Sequence, residues 1–193
     1  FPDTAMKPCH ILCTDGKVLS VSDFKQSEKQ PIAVVFHINH DENTEGNGYA
    51  VYLWDLEPLA FADSIGVKQN TSADITALDG FENTFALLDA RETSSPLAEK
   101  VFDLWRYGQS AYIPSVAQMR LLYYAREQIN PVIKMCGGDT LSVEADDCWY
   151  WTSTEVNEQQ TAKAWLYSMG SGAIHDTPKI QAHKSRAIIT LRD

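Results

Sequence analysis

The segment Cys148-Trp149-Tyr150-Trp151-Thr152-Ser153-Thr154-Glu155 constrains this chain more than any other. Aromatic and β-branched residues favour an extended backbone, whose two-residue period sends Trp149, Trp151 and Ser153 to one face and Tyr150 and Thr152 to the other. Side chains this large stabilise a fold when their apolar area leaves water, so at least one face of the strand must be core. Trp151 is the expected packing anchor, the alternative being an exposed stacking platform. Trp149 lies nearer the acidic stretch Glu144, Asp146 and Asp147, and exposure is better favoured there. Glu155 is expected to tie down the next loop by hydrogen bonds rather than to act as a catalytic acid.

The rest of the chain can supply that core. It has 193 residues, of which 44% are hydrophobic and 22% charged, within the size of one globular domain. We expect a single domain over 1–193, with N-terminal strands and a wrapping loop in 1–69 and the remainder in 70–193. A formal net charge of -10 spread along the chain repels phosphate backbones and anionic lipid, which argues against nucleic-acid partners. No run approaches the roughly 20 apolar residues of a membrane span. The chain opens at Phe1-Pro2-Asp3 without an initiator Met, which raises the expectation of a removed signal peptide.

Four cysteines form an even set, Cys9, Cys13, Cys136 and Cys148, as in many exported proteins. Cys136 and Cys148 bracket an eleven-residue loop, a span that suits one disulfide; free buried thiols are the alternative. The spacing lacks the tight second pair of structural zinc sites, and Cys9 and Cys13 lack the CxxC spacing of redox motifs.

Along the chain, Asp15-Gly16 between Ile11–Cys13 and Val18–Val21 predicts a hairpin. Ile32–Phe36 and Tyr49–Trp54 read as paired strands with a long acidic tip over 39–48. Residues 56–79 should be irregular, with Gln69-Asn70-Thr71-Ser72 as surface loop. Helices are predicted over Phe81–Leu88 and after Ser95-Pro96, the latter burying Leu97, Val101, Leu104 and Trp105 and stopping at Gly108. A capping box at Ser115 and Gln118 starts another helix, to run to about Gln128, with a shorter one from Asn130-Pro131 to Gly137-Gly138. Strands then return over Tyr150–Thr154, Ala164–Met169, Ala173–His175 and Arg186–Leu191. Strands, then helices, then strands predict an α+β fold.

Read in this order, several segments resemble a known bacterial domain: Asp79-Gly80-Phe81-Glu82-Asn83-Thr84, Tyr112-Ile113-Pro114-Ser115, Gly137-Gly138, Tyr150 through Glu155, Ala164-Trp165, Gly172 and the strand at Arg186. Together they are similar to the DUF1566 or Lcl C-terminal type of domain, common in exported proteins of Bacteroidetes. The strongest match is Trp-Thr-Ser-Thr-Glu followed by Ala-Trp, and the resemblance covers about 70–193. It implies a C-type lectin-like fold, related to that of the formylglycine-generating enzymes, with antiparallel sheets and several helices alongside. It also implies export to the cell surface or periplasm, with a lipid anchor upstream of this chain.

Neither the resemblance nor the residues point to catalysis. Sugar-binding lectins hold calcium with E-P-N or Q-P-D and W-N-D segments, which are missing here, since Glu57-Pro58-Leu59 lacks the amide. Asp41 to Gly46 imitates half of an EF-hand loop, but Tyr52 stands where a bidentate Glu is needed. His37-Ile38-Asn39-His40 is no HExxH helix, and His10, His175 and His183 are scattered singly. The expectation is a non-catalytic binding or adhesion module with no cofactor and no metal. Trp149, Glu144, Asp146 and Asp147 are its ligand-binding candidates, and a glycan or a protein its ligand. An assembly subunit of a surface or envelope complex is the alternative, ahead of a thiol- or metal-dependent enzyme.

Overall fold

In a computed structural model, residues 6–41, 44, 46–104 and 110–192 are described. Phe1 to Asp3, the loop residues Glu42, Asn43 and Glu45, and the helix-end features Trp105 and Gly108 fall outside them. The fold is α+β with antiparallel sheets, and its main sheet is organised by apolar runs that bury both faces. In β3 (Pro31–Ile38), Ala33 and Val35 enter one core cluster while Val34 and Phe36 enter another. In β4 (Gly48–Tyr52), Ala50 and Tyr52 oppose Tyr49 and Val51 in the same way. A continuous apolar run, rather than an alternating one, is what a strand covered on both sides requires.

β1 (Ile11–Cys13) and β2 (Val18–Leu19) form the predicted hairpin and pair through β1 with β3. Val21 leaves the strand, because Ser20 caps a short helix, α1 (Val21–Lys25), by accepting from the Asp23 N–H. The other edge of this sheet is β10 (Ile188–Leu191), paired with β4 in the order β10-β4-β3-β1-β2. The 1–69 and 70–193 portions therefore share one sheet.

Helices cover both faces. α2 (Gly80–Asp89) and α3 (Pro96–Phe102) add Leu87, Leu97 and Val101 to the first cluster, and α4 (Val116–Met135) adds Met119, Leu122, Ile129 and Ile133 to the second. The predicted capping box is present at Ser115, and the Gln118 Oε1 that completes it also accepts from Gly80 N at 3.1 Å. That contact joins α2 to α4. Gly80 is needed there: a Cβ would lie 2.6 Å from the Ile113 carbonyl oxygen.

α4 does not break at Asn130-Pro131 into two helices as the sequence predicts. Pro131 lies on the exposed side, while Ile129 and Ile133 keep the buried stripe continuous, so packing outweighs the missing N–H. The helix ends at the predicted glycines. Gly137, with φ 81°, donates to Lys134 O and Gly138 to Ile133 O, a Schellman closure.

Two short strands went unread in the sequence. β5 (Leu56–Ala60) pairs with β9 (Ala182–Ser185), replacing part of the irregular stretch expected over 56–79. Neither has a recognisable apolar period, because Pro58 and Lys184 serve an edge ribbon. The third sheet orders β6 (Trp149–Glu155), β7 (Lys163–Ser168) and β8 (Ile174–Pro178).

β6 ties these parts together. Tyr150 enters the second cluster and Trp151 the first, so the alternating faces of this strand are both core. Trp151 is wholly buried, donates from Nε1 to Leu59 O at 2.9 Å and packs against Phe61 at 5.4 Å between centroids. At the strand's end, the buried Glu155 carboxylate accepts from Gln69 N, Thr71 N and Thr71 Oγ1, each at 3.0 Å, and from Lys179 Nζ at 2.7 Å. Lys179 completes its donors on Gln160 O and Val67 O. The loop that Glu155 ties down thus lies far upstream, and Gln69 and Thr71 are buried instead of forming surface loop. A buried carboxylate needs donors, and this backbone supplies them.

Candidate functional site

At the opposite end of β6 the chain opens. The approach to the strand, 139–148, is held in shape from several sides. Asn130 on α4 brackets Leu141, donating to its carbonyl at 3.1 Å and accepting from its N–H at 2.8 Å. Ser142 N donates to Tyr150 Oη at 3.0 Å, and Asp147 N closes a turn on Glu144 O. Leading out of this loop, Trp149 is half-buried, its edge against His175 with 6.1 Å between ring centroids.

Trp149, Asp146 and Asp147 form one wall of a groove of about 520 Å³. Leu166 of β7 and Pro58 of β5 contribute apolar surface, and the other wall runs along β8 and β9 from His175 to Lys184. Glu144 does not line it. It lines an adjoining depression of about 1040 Å³ with Asp55, Glu127 and Asp139, and Asp147 borders both.

Charges in the groove are partly committed. Lys184 Nζ lies 2.9 Å from Asp147 Oδ1, 3.8 Å from Asp55 Oδ2 and 4.5 Å from the Tyr150 ring centre. Burial pulls the Lys184 ammonium pKa down, but the Asp147 hydrogen bond and the Tyr150 and Asp55 charges outweigh it and raise it overall. The same hydrogen bond lowers the Asp147 carboxyl below its ordinary value. Because Asp147 is largely exposed, this pair organises the wall more than it stabilises the fold. Behind it, Arg186 is buried and donates to Asp55 Oδ1 through Nε at 2.9 Å and Nη2 at 2.7 Å.

Two imidazoles line the groove, His175 exposed and His183 half-buried. His175 Nδ1 is 3.1 Å from Thr177 Oγ1, and His183 Nε2 is 3.1 Å from Gln181 Oε1. Burial, with a contribution from His175, lowers the His183 pKa. Among the described residues, no three His, Cys, Asp or Glu side chains converge to hold a metal ion. What the groove offers is aromatic and aliphatic surface bordered by carboxylate, amide and imidazole groups, a composition suited to binding.

The disulfide expected between Cys136 and Cys148 is absent: all four cysteines carry free thiols. The Cys148 thiol turns inward, 3.3 Å from Ser168 Oγ on β7. Cys136 caps α4, and burial, reinforced by Cys13, raises its thiol pKa to about 11. The loop is therefore held by Asn130, Tyr150 and Lys184 without a cross-link.

His175, Gln181, His183 and Lys184 were invisible as site residues because they lie well downstream of Trp149 and form no motif. The β7–β8 hairpin and the β5–β9 ribbon bring them to Trp149. Trp165, also half-buried, borders a different depression with Ser72 and Ala73.

No family model matches the sequence, and no curated protein matches it. Among solved structures, the fold matches a fimbrial protein from Bacteroides ovatus with a TM-score of 0.76 at 15% sequence identity. The match covers 96% of this chain and 49% of that one, so the chain spans about half of that protein's length. At this identity the likeness is one of fold. No helix among the described residues is long and apolar enough to cross a membrane.

Proposed function

We propose that this chain is a non-catalytic, exported binding module of the cell surface, engaging a glycan or protein ligand through the groove at Trp149. The carrying observation is that a pre-shaped loop and two β ribbons leave an indole half-open beside Asp146, His175 and Gln181. The fold shared with a fimbrial protein supports a surface setting. A C-type lectin-like arrangement and kinship with the DUF1566 type of domain belong to the same proposal, supported by the Trp151 to Glu155 segment and the residues that follow it.

The test follows the Trp149 indole N–H by NMR during titration with oligosaccharides and peptides. Saturable movement of that resonance with one ligand class is expected. A resonance that moves with none removes the groove as a binding surface. Assembly into a surface complex is a second reading, favoured by the side chains of Ile75, Leu78 and Phe85, which stand exposed around α2. Monodisperse monomers at high concentration would weigh against it.

A further inference from the structure

Resting on that reading of the Trp149 groove, we infer that its ligand is a basic polypeptide segment of a partner protein, carrying lysine or arginine beside an aliphatic or aromatic residue. The groove and the adjoining depression share Asp147 as a border, which sets the Trp149 side and the α4 side of this trench next to each other. Its borders carry Asp55, Glu127, Asp139, Glu144, Asp146 and Asp147 against Lys134 and Lys184. Asp55 is engaged by Arg186, and Asp147 by Lys184. That leaves Glu127, Asp139 and Glu144 beside Lys134 in the depression and Asp146 in the groove outside any ion pair among the described residues, with Asp139 Oδ2 also accepting from Asp55 N at 3.4 Å.

The trench is more than an acidic patch. Its Trp149 end has an apolar lining of Leu166, Pro58 and Pro178, able to receive an aliphatic side chain, while the carboxylates at the other end await a counter-charge. The whole chain, at -10, reinforces the same sign at longer range. Neutral sugars could stack on an indole but would leave the carboxylate excess uncompensated. Acidic glycans would be repelled by it. A segment alternating basic and apolar side chains satisfies both ends at once, and the loop clamped by Asn130 and Tyr150 requires little ordering on binding.

The experiment titrates the isotope-labelled chain with three probes: a capped Lys-Leu-Lys-Phe-Lys-Leu peptide, the same peptide with Glu in place of Lys, and a panel of neutral oligosaccharides. The Trp149 indole resonance, assigned by its loss in Trp149→Phe, is the reporter. The lysine peptide should shift it saturably, and its affinity should fall at least about fivefold between about 50 and 300 mM salt. Glu144→Gln with Asp146→Asn should weaken it at least about threefold, with the rest of the spectrum preserved. Both positions are exposed, so this variant keeps the fold.

Equal binding of the glutamate peptide would overturn the inference, as would lysine-peptide binding that the double variant leaves unchanged. An oligosaccharide that shifts Trp149 where the lysine peptide does not would overturn the basic-segment chemistry and leave the groove reading standing. Silence of Trp149 towards every probe would remove both.

Discussion

The two ends of β6 solve opposite problems with the same kinds of residue. At Glu155, a carboxylate and the Lys179 ammonium are shut away from water, and every donor of that ammonium has an acceptor within 3.2 Å. At Trp149, carboxylates and a lysine also meet aromatic rings, but Asp147 stays 63% exposed and Asp146 makes no ion pair among the described residues. The closed end holds three stretches of chain together. The open end keeps interaction capacity that the fold itself does not use. Closure of a polar network therefore separates polar residues that hold the fold from those left open to solvent here better than residue type does.

The largest expected effect breaks the closed end. Glu155→Ala leaves Lys179 buried without its counter-ion and should destabilise the chain by about 3–5 kcal/mol in urea unfolding. Pairing Glu155→Gln with Lys179→Met should recover much of that loss, because no unpaired charge remains. Next, Trp151→Phe removes the Nε1 bond to Leu59 and leaves a void, an expected loss of about 2 kcal/mol by the same measurement.

At the open end, Trp149→Ala should lower stability by only about 1 kcal/mol, since the ring is already half exposed, while abolishing ligand-induced shifts in the groove. A loss as large as that of Trp151→Phe would make Trp149 a packing residue and erase the contrast. The smallest effect is on pH dependence. His183 has a folded pKa below 6.5, so its contribution is present above that value and lost as pH falls through the folded pKa. Stability measured across pH 5 to 7 should therefore show a shallower acid loss for His183→Gln than for the parent chain.

Much of the fold was legible where local chemistry decides. The Asp15-Gly16 hairpin, the capping box at Ser115 and the glycine stop at Gly137 depend on neighbours in sequence, and all three form. The apolar run of β3 and the aromatics of β6 announced burial through their composition alone. The failures share a different cause. Asn130-Pro131 looked like a boundary, yet the sheet beneath Ile129 and Ile133 keeps α4 continuous. Gln69 to Ser72 looked like surface, which Asn70 and Ser72 are, yet the Glu155 carboxylate draws in Gln69 and Thr71 through their N–H groups across 86 and 84 positions of sequence.

The same division runs through the site. Trp149, Asp146 and Asp147 adjoin in sequence and meet in one groove, whereas His175, His183 and Lys184 reach it only through strand pairing, and Glu144 turns to the neighbouring depression. By itself the sequence determined the Asp15-Gly16 hairpin, the start and end of α4 and the buried strands β3 and β6, because those follow from composition, capping and turn residues within a few positions. Only the tertiary structure decided which polar groups are closed off and which stay open, because desolvation and pairing depend on what the rest of the chain packs against them.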